Sequence, residues 1–229
     1  MGRRNLIVNA DDFGAARGIN RGIVQAHVHG IVTSTSLMVH GPAAGEAAAL
    51  GSEHPELALG LHWDLDAGGV DRVPLDDPRA VRNELQAQLE LFHRLVGRGP
   101  THIDSHHHVH RRGQIAPVAL ELAAPLGVPL RACEPVTYVG AFYGQREWQV
   151  TDLEHVSPAF LIWILRNEVG EGWTEIGCHP GFFDEDFTSA YLAEREVEVQ
   201  TLTDPSVRRE IDALGIRLAG PADVGLGEP

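Results

Sequence analysis

The chain alternates short apolar segments rich in β-branched residues with longer segments of helical periodicity, and this alternation constrains its fold more than any other feature. The predicted strands cover residues 6–9, 33–39, 57–61, 102–105, 130–133, 174–178 and 217–219. The predicted helices cover residues 18–29, 43–50, 79–96, 115–126, 158–169 and 190–202. Six or seven such strand–helix units predict an α/β fold with a parallel sheet, either closed into a barrel or open and doubly wound.

The helix predicted at residues 79–96 has the clearest pattern, because apolar residues recur there at spacings of three and four while charged residues fill the opposite face. No repeat, low-complexity tract or linker divides the sequence. With 229 residues, the chain fits one α/β domain, since single barrels of about 200 to 250 residues are common. We therefore expect a single domain over residues 1–229.

Charge and composition narrow the class of partner. Lys and Arg number 18 against 32 Asp and Glu, a formal net charge of −14, which argues against nucleic acid or an anionic membrane surface as a partner. A neutral or cationic small molecule fits better. The sequence contains no run of about 18 apolar residues and no apolar stretch typical of a signal peptide, so we expect a cytoplasmic protein. Cys133 and Cys178 are expected to be buried free thiols.

Polar residues follow the predicted strands at one end. They are Asp11 and Asp12 after the first strand, His62 after the third, His106 and His108 after the fourth, Arg131 and Glu134 around the fifth, and His179 after the sixth. In barrels the loops at the carboxyl ends of the strands converge on one opening, which holds the active site. Polar residues distributed by chance would occur as readily at the amino ends. The sequence therefore predicts one site that contains these side chains.

The stretch NADDFG at residues 9–14 places two carboxylates side by side. Adjacent acids repel each other, so a site that holds both usually provides a cation or protonates one of them. One carboxylate with two histidines is a common set of ligands for a catalytic divalent metal, and a second carboxylate can act as a general base. Strand alternation would point Asp11 and Asp12 to opposite faces, so this hypothesis requires the chain to turn near Phe13 and Gly14. A helix-capping turn would also explain adjacent acids before a glycine.

The stretch HIDSHHHVH at residues 102–110 has five histidines in nine residues, which favours metal binding over a solvated loop. Its period-two spacing predicts that His102, Asp104, His106, His108 and His110 share one face. We expect His102 and Asp104 to point into the barrel and orient the ligands. His106 is the first candidate ligand and His108 the alternative. Taken alone, His62 is also compatible with an ordinary imidazole that is exposed or packed. The stretch His179-Pro180-Gly181 alone is also compatible with a turn.

Five motifs occur in order: NADDFG, GIVTSTSLM (30–38), GLH (60–62), THIDSHHHVH (101–110) and CHPGF (178–182). Together they resemble the YdjC-like carbohydrate deacetylases, a family that includes enzymes acting on chito-oligosaccharides and hopanoid-linked sugars. The resemblance extends over nearly the whole chain. It implies a distorted (β/α)7 TIM-like barrel, mainly of parallel strands, that hydrolyses the acetamido group of a sugar with one divalent Mg or Zn ion.

The resemblance also assigns roles to residues of this sequence. Asp12, His62 and His106 would be the metal ligands, and Asp11 the catalytic base. His179 would protonate the leaving amine or stabilise the oxyanion, and Arg131 would pair with the base and keep it ionised. The expected partner is a small N-acetylated sugar, and the resemblance is compatible with a homodimer.

The sequence departs from the family pattern at two places. His107 stands where the family more often has Gln, which leaves the ligand within the triple histidine open between His106 and His108. Trp63 and Asp64 replace a small or aliphatic residue and a hydroxyl residue, so substrate contacts near the opening differ. Trp63 could stack on a sugar ring, although a large aromatic residue beside a strand end is more often part of the core.

Two other functions use similar residues. A metal-dependent phosphoesterase could share the ligands but would usually add Arg or Lys to hold phosphate. A non-catalytic protein could bind a sugar or a metal, but it would have no need of a second carboxylate beside the ligands. The long connection at residues 134–157, with Tyr138, Phe142, Tyr143 and Trp148, is predicted to be a substrate loop or lid.

Overall fold

The computed structural model describes residues 2–66, 70–147, 149–185 and 187–225. Its strands are β1 (Arg4–Phe13), β2 (Ser34–Leu37), β3 (Ala58–Trp63), β4 (Ile103–Ser105), β5 (Val136–Val139), β6 (Gln145–Glu147), β7 (Val150–Thr151), β8 (Gly172–Cys178) and β9 (Arg217–Leu218). Its helices are α1 (Arg17–Val28), α2 (Ala44–Glu53), α3 (Pro78–Val96), α4 (Ile115–Ala123), α5 (Pro158–Asn167), α6 (Ala193–Leu202) and α7 (Pro205–Ala213). Trp148 lies outside the described residues.

Seven strands form one sheet in the order β4-β3-β2-β1-β8-β5, with β9 paired to β1, and all of its pairs are parallel. Neighbouring strands lie about 4.8 Å apart, so β1 and β4 would be about 14 Å apart in a flat sheet. Yet the Asn9 side chain on β1 donates a hydrogen bond of 3.2 Å to Asp104 on β4. The sheet is therefore strongly curled, and the predicted α/β class with a distorted, mainly parallel barrel is confirmed.

The fifth predicted strand, residues 130–133, is wrong. Only Leu130 pairs there, through an isolated parallel bridge to Ile103, and the strand that pairs with β8 is β5. Helix α7 was missed, although Asp204 caps it and Pro205 occupies its first turn. The chain also leaves the strand conformation after Ser105 and forms a 3₁₀ turn at residues His106–Arg111. For this reason the predicted alternation of faces ends before His106.

Helix α3 matches its predicted range and core face. Asp77 accepts a hydrogen bond from the Arg79 amide at the N-terminus, and Gly97 adopts φ 75° at the C-terminus. Of the residues predicted to face the core, Val81, Leu85, Leu89 and Phe92 are buried, and Val96 is half-buried. Within the described residues, every helix is too short or too polar to span a lipid bilayer. Both cysteines are free thiols, but Cys133 is only half-buried.

Helix α1 packs directly on the segment that follows β8. A Cβ added at Gly22 would lie 2.5 Å from the Cα of Gly181, and one added at Gly18 would lie 2.3 Å from the carbonyl oxygen of Phe182. The Phe182 amide donates a hydrogen bond to the Gly18 carbonyl. These glycines therefore allow the close approach that holds the His179 segment against the barrel.

We expect Gly22→Ala to lower the free energy of unfolding by about 1–3 kcal/mol, because the added methyl group overlaps backbone atoms that cannot rotate away. The matched control is Gly45→Ala in α2, where an added Cβ meets nothing within 4 Å. That change should raise stability by up to about 1 kcal/mol, since alanine favours a helix over glycine. Urea denaturation of both variants measures the difference, and equal effects would contradict the close packing of α1.

Candidate active site

A cavity of about 370 Å³ opens at the carboxyl ends of the strands. Five of the six predicted site residues line it: Asp11, Asp12, His62, His106 and His179. The sixth, Arg131, is buried and pairs with Asp11. Side chains separated by up to 168 positions in the sequence thus meet in one place, as the position of polar residues at the strand ends predicts.

The end of β1 directs both aspartates into the cavity. Its pairing with β2 shifts register between Ala10 and Phe13, and Asp12 adopts a left-handed backbone with φ 68°. This region is uncommon for residues other than glycine, although aspartate tolerates it better than most. The turn overcomes strand alternation, so the two neighbouring carboxylates can serve one site.

Asp11 is held as an ionised carboxylate. Arg131 donates to both of its oxygens, at 2.6 and 2.7 Å, and Asn9 donates to Oδ1 at 2.9 Å. Burial opposes the charged form, but the Arg131 guanidinium holds the pKa of Asp11 well below its usual range. The expectation that Arg131 pairs with this carboxylate agrees with the geometry.

Arg131 is shared by three acids. Besides Asp11 it contacts Asp104 at 2.7 Å and Glu175 at 2.7 Å, and all four side chains are buried. One positive charge cannot neutralise three carboxylates. Burial, together with the nearby charges of Asp104 and Asp11, raises the pKa of Glu175 to about 7 despite its bond to Arg131.

This shift predicts how stability changes with pH. A carboxyl whose pKa is higher in the folded protein than in the unfolded chain stabilises the fold at low pH, and this contribution is lost as pH rises from about 4.5 to about 7. Glu175→Gln removes the titration, so its free energy of unfolding relative to the unmodified protein should rise by an amount on the order of 3 kcal/mol between pH 4 and pH 8. Denaturation at both pH values tests this, and a constant difference would contradict it.

His62 is oriented by the carboxylate beneath it. Its Nδ1 lies 2.7 Å from Asp104 Oδ1 and 3.2 Å from Ser36 Oγ, whereas its Nε2 faces Asp12 Oδ1 at 3.5 Å. Burial disfavours the charged imidazole, but Asp104 and both aspartates of β1 raise the pKa of His62 to about 9. The surrounding negative charge therefore favours a cation at Nε2. Asp104 and His102 both point into the barrel, where Asp104 contacts His62 and His102 Nε2 lies 2.8 Å from Asn9 Oδ1.

Among the buried polar atoms of the site that have no hydrogen-bond partner are Asp12 Oδ1, His62 Nε2 and His106 Nδ1. Unsatisfied buried polar atoms are costly, so this set needs a partner from outside the chain. An oxygen and two imidazole nitrogens are ligands for a divalent metal, and His106 lies with its ring centroid 5.9 Å from that of His62. The residues present therefore fit a divalent ion. His108 remains the alternative ligand, because its Nδ1 is also buried without a partner.

Two groups of side chains bring possible ligand atoms within 4.8 Å of one another: Asp11, His62 and Asp104, and Asp66, His106 and His107. The set of Asp12, His62 and His106 is not one of these groups. In the first group, Arg131 already contacts both carboxylates. A metal ion there would have to displace the guanidinium. The second group includes the exposed His107, whose Nδ1 lies 3.3 Å from Asp66. The unpartnered atoms around Asp12 are the better fit.

His179 directly follows β8 and faces Asp11 across the cavity. Its Nε2 lies 4.0 Å from Asp11 Oδ2, and its Nδ1 is buried without a partner. Burial lowers the pKa of His179 to about 4, so the imidazole is neutral near pH 7. Tyr143 and Tyr191 lie edge-on to this ring, with centroids at 5.5 and 5.7 Å.

The connection at residues 134–157, predicted to be a substrate loop or lid, contains the strands β5, β6 and β7. It contributes Tyr138, Phe142 and Tyr143 to the cavity wall. It is anchored to α6, because Gln145 and Thr151 both donate hydrogen bonds to Glu194. Trp63, by contrast, is fully buried and donates to the Leu85 carbonyl at 3.1 Å. It belongs to the core and cannot stack on a sugar. Asp64 pairs with Arg72.

Sequence reasoning missed the contribution of α6. Arg195 lines the cavity and contacts Asp12, and Glu198 accepts a hydrogen bond from the His179 amide. Both side chains are buried. They stand in the highly charged stretch AEREVEVQ, which resembles a solvated helix face. No spacing in the sequence distinguishes them.

Comparisons with known proteins agree with this architecture. The family model described as YdjC-like protein matches residues 5–213. The chitooligosaccharide deacetylase of Serratia marcescens is 34% identical over 96% of this chain and 98% of its own length. A crystal structure from Enterococcus faecalis, of a protein provisionally named for cellobiose-phosphate cleavage, is 30% identical, with a TM-score of 0.81 over 95% of this chain and 97% of that one. A family 4 carbohydrate esterase of Streptomyces lividans, 10% identical, has a similar fold, with a TM-score of 0.56 over 96% and 93% of the two chains.

Proposed function

The chain belongs to the YdjC-like protein family, and on this premise we propose that it is a metal-dependent carbohydrate N-deacetylase, which hydrolyses the acetamido group of a sugar to acetate and an amino sugar. One observation carries the proposal. Three buried, unpartnered ligand atoms of Asp12, His62 and His106 lie beside a second carboxylate, Asp11, that Arg131 keeps ionised. A hydrolase needs that second carboxylate, whereas a protein that only binds metal does not.

A Zn or Mg ion held by Asp12, His62 and His106 would act as a Lewis acid, which lowers the pKa of a water from about 15.7 toward roughly 7. Asp11 accepts the proton of the attacking water. Arg131 holds both oxygens of Asp11, so the base keeps its orientation as it gains the proton. Asn9 adds a third hydrogen bond to the same group.

His179 acts on the leaving side of the reaction. Because its imidazole is neutral near pH 7, it can donate an N–H to the oxyanion that develops on the acetyl oxygen. Alternatively it gives its own N–H proton to the amine and regains one from the protonated Asp11. His179 Nε2 and Asp11 Oδ2 are 4.0 Å apart, so that second transfer requires the two groups to move closer or a water between them. In either role the product is a free amine, and acetate leaves with the oxygen of the water.

The substrate class follows from the family and the cavity. A volume of about 370 Å³ lies within the range of small-molecule sites, and aromatic rings of Tyr138, Phe142 and Tyr143 supply apolar walls against which a sugar ring can pack. The relative from Serratia marcescens is named for chitooligosaccharides. We therefore propose an N-acetylglucosamine-type sugar as the substrate of this chain.

Phosphoester hydrolysis fits the site less well. Arg131 and Arg195, the two guanidinium groups at the carboxylates, already pair with Asp11 and Asp12. A phosphate would have to compete with these buried ion pairs, and the protein carries a net charge of −14.

The test is a panel of N-acetylated mono- and oligosaccharides and phosphorylated sugars, incubated with the protein and added Zn or Mg. We expect free amine and an equal amount of acetate from at least one acetylated sugar, and no phosphate. The release of phosphate without acetate would show that the proposed reaction is wrong.

A further inference from the structure

We propose that Arg195 is a positioning residue that fixes the carboxylate of Asp12 and the backbone of His179 relative to each other across the cavity. The inference rests on the proposed function, because it concerns the same metal ligand and the same imidazole. It assigns a role to helix α6, which follows β8 and which none of the sequence motifs includes.

Each nitrogen of the Arg195 guanidinium has an acceptor. Nη2 donates to Asp12 Oδ2 at 2.6 Å, Nη1 to the His179 carbonyl at 3.2 Å, and Nε to the Tyr191 carbonyl at 3.1 Å. The Arg195 side chain is only 7% exposed. The planar guanidinium of arginine can donate to these three acceptors at once. The ammonium group of lysine, at the end of a flexible side chain, cannot hold all three in one geometry.

At Asp12 the contact selects which oxygen remains free. Because Oδ2 is bound to Arg195, the carboxylate cannot turn both oxygens toward one ion without breaking that bond. Oδ1 has no partner and faces His62 Nε2 at 3.5 Å. Arg195 therefore presents Asp12 as a ligand through a single oxygen, which leaves space around the ion for water and substrate.

At His179 the same helix holds the backbone at several atoms. Arg195 Nη1 donates to the carbonyl, and Glu198 accepts from the amide at 2.5 Å. The Gly181 amide donates to the Arg195 carbonyl at 3.2 Å. Nδ1 of His179 makes no hydrogen bond, so the position of the imidazole depends on these hydrogen bonds to the His179 backbone.

The variants Arg195→Met and Arg195→Lys separate geometry from charge. The methionine variant keeps much of the side-chain volume but neither charge nor hydrogen bonds, and the lysine variant keeps the charge. We expect both to bind Zn about 10–100-fold more weakly, measured by competition with a chromogenic chelator, and to lower kcat by a similar factor with little change in KM. The metal affinity is measured without substrate, so it does not depend on identifying the sugar.

Glu198→Ala tests the contact to His179 separately from the contact to Asp12. It removes the acceptor for the His179 amide but does not contact Asp12, so we expect kcat to fall while the Kd for Zn remains unchanged. Arg4→Met is the structural control, because Arg4 binds the carbonyls of Leu165 and Val169 at the opposite end of β1. It should lower stability without changing the Kd for Zn or kcat.

The proposal is overturned if Arg195→Met, shown to be folded by its thermal transition, binds Zn and turns over substrate like the unmodified protein. It is also overturned if Arg195→Lys restores both properties, because charge alone would then be sufficient. If the unmodified protein releases no acetate from any sugar, the proposed function fails, and the Zn affinities of the three variants still decide the role of Arg195.

Discussion

Asp11→Asn is expected to retain its metal ion and to lose roughly 10²–10⁴-fold in kcat. The amide is nearly the same size as the carboxylate, but it cannot accept the proton of the attacking water. The proposed ligand atoms belong to Asp12, His62 and His106, so the substitution leaves them in place. Metal content, measured by elemental analysis, and the rate of acetate release are the two measurements.

The pair of measurements distinguishes the roles of the two aspartates. Loss of the metal from Asp11→Asn would mean that Asp11 is the ligand and Asp12 the base, which is the reverse of our assignment. Retention of both metal and full activity would mean that Asp11 is not the base. A thermal transition near that of the unmodified protein shows that the Arg131 pair tolerates the amide.

His62→Ala and His106→Ala are expected to weaken metal binding by at least about 100-fold, since even the groups that orient a ligand contribute 10–100-fold. Each substitution would remove one of the three proposed protein ligands, and the two that remain would come from separate strand ends. Deacetylation should fall with metal occupancy and return in part when excess Zn is added.

His108→Ala provides the matched control within the triple histidine. His106 and His108 both line the cavity and both have a buried, unpartnered Nδ1. If His106 is the ligand, His108→Ala keeps the metal. If His108→Ala loses the metal and His106→Ala keeps it, the ligand set contains His108 instead.

The sequence predicts the site's position better than its details. Strand ends in a parallel barrel face one opening, so Asp11, His62 and His179 could be placed together from strand order alone. The resemblance to the family then distinguishes the aspartates. The sequence does not predict the left-handed backbone of Asp12 directly. It shows only that the chain must turn there, because strand alternation would point Asp11 and Asp12 to opposite faces of the sheet.

The errors have specific physical causes. The β-like spacing of HIDSHHHVH continues past Ser105, but His107 and His108 adopt positive φ values of 52° and 51° within a 3₁₀ turn. His110 does not share a face with His106 and is buried, with its Nε2 3.1 Å from the Arg131 carbonyl oxygen. Local periodicity cannot reveal this turn. The segment at residues 130–133 was predicted to be a strand, but only Leu130 forms a bridge to the sheet. The next residue, Arg131, directs its side chain to Asp11.

The helix at residues 190–202 was predicted, but the part that α6 plays in the site was missed for a different reason. Arg195, Glu194 and Glu198 are charged residues in a charged segment, yet all three are buried. Charged side chains are rarely buried unless they are paired, and their partners here are Asp12, the loop at 134–157 and the His179 backbone. Those partners are far away in the sequence, so only the fold identifies them.

Anomalous scattering at the zinc edge, from crystals of the unmodified protein grown with zinc, is the most direct measurement of whether one metal site underlies this chemistry. We predict one strong peak bounded by Asp12 Oδ1, His62 Nε2 and His106 Nδ1, with Asp12 Oδ2 still bound to Arg195. Absence of a peak among these atoms, or a peak only at Asp66 and His107, would contradict the account.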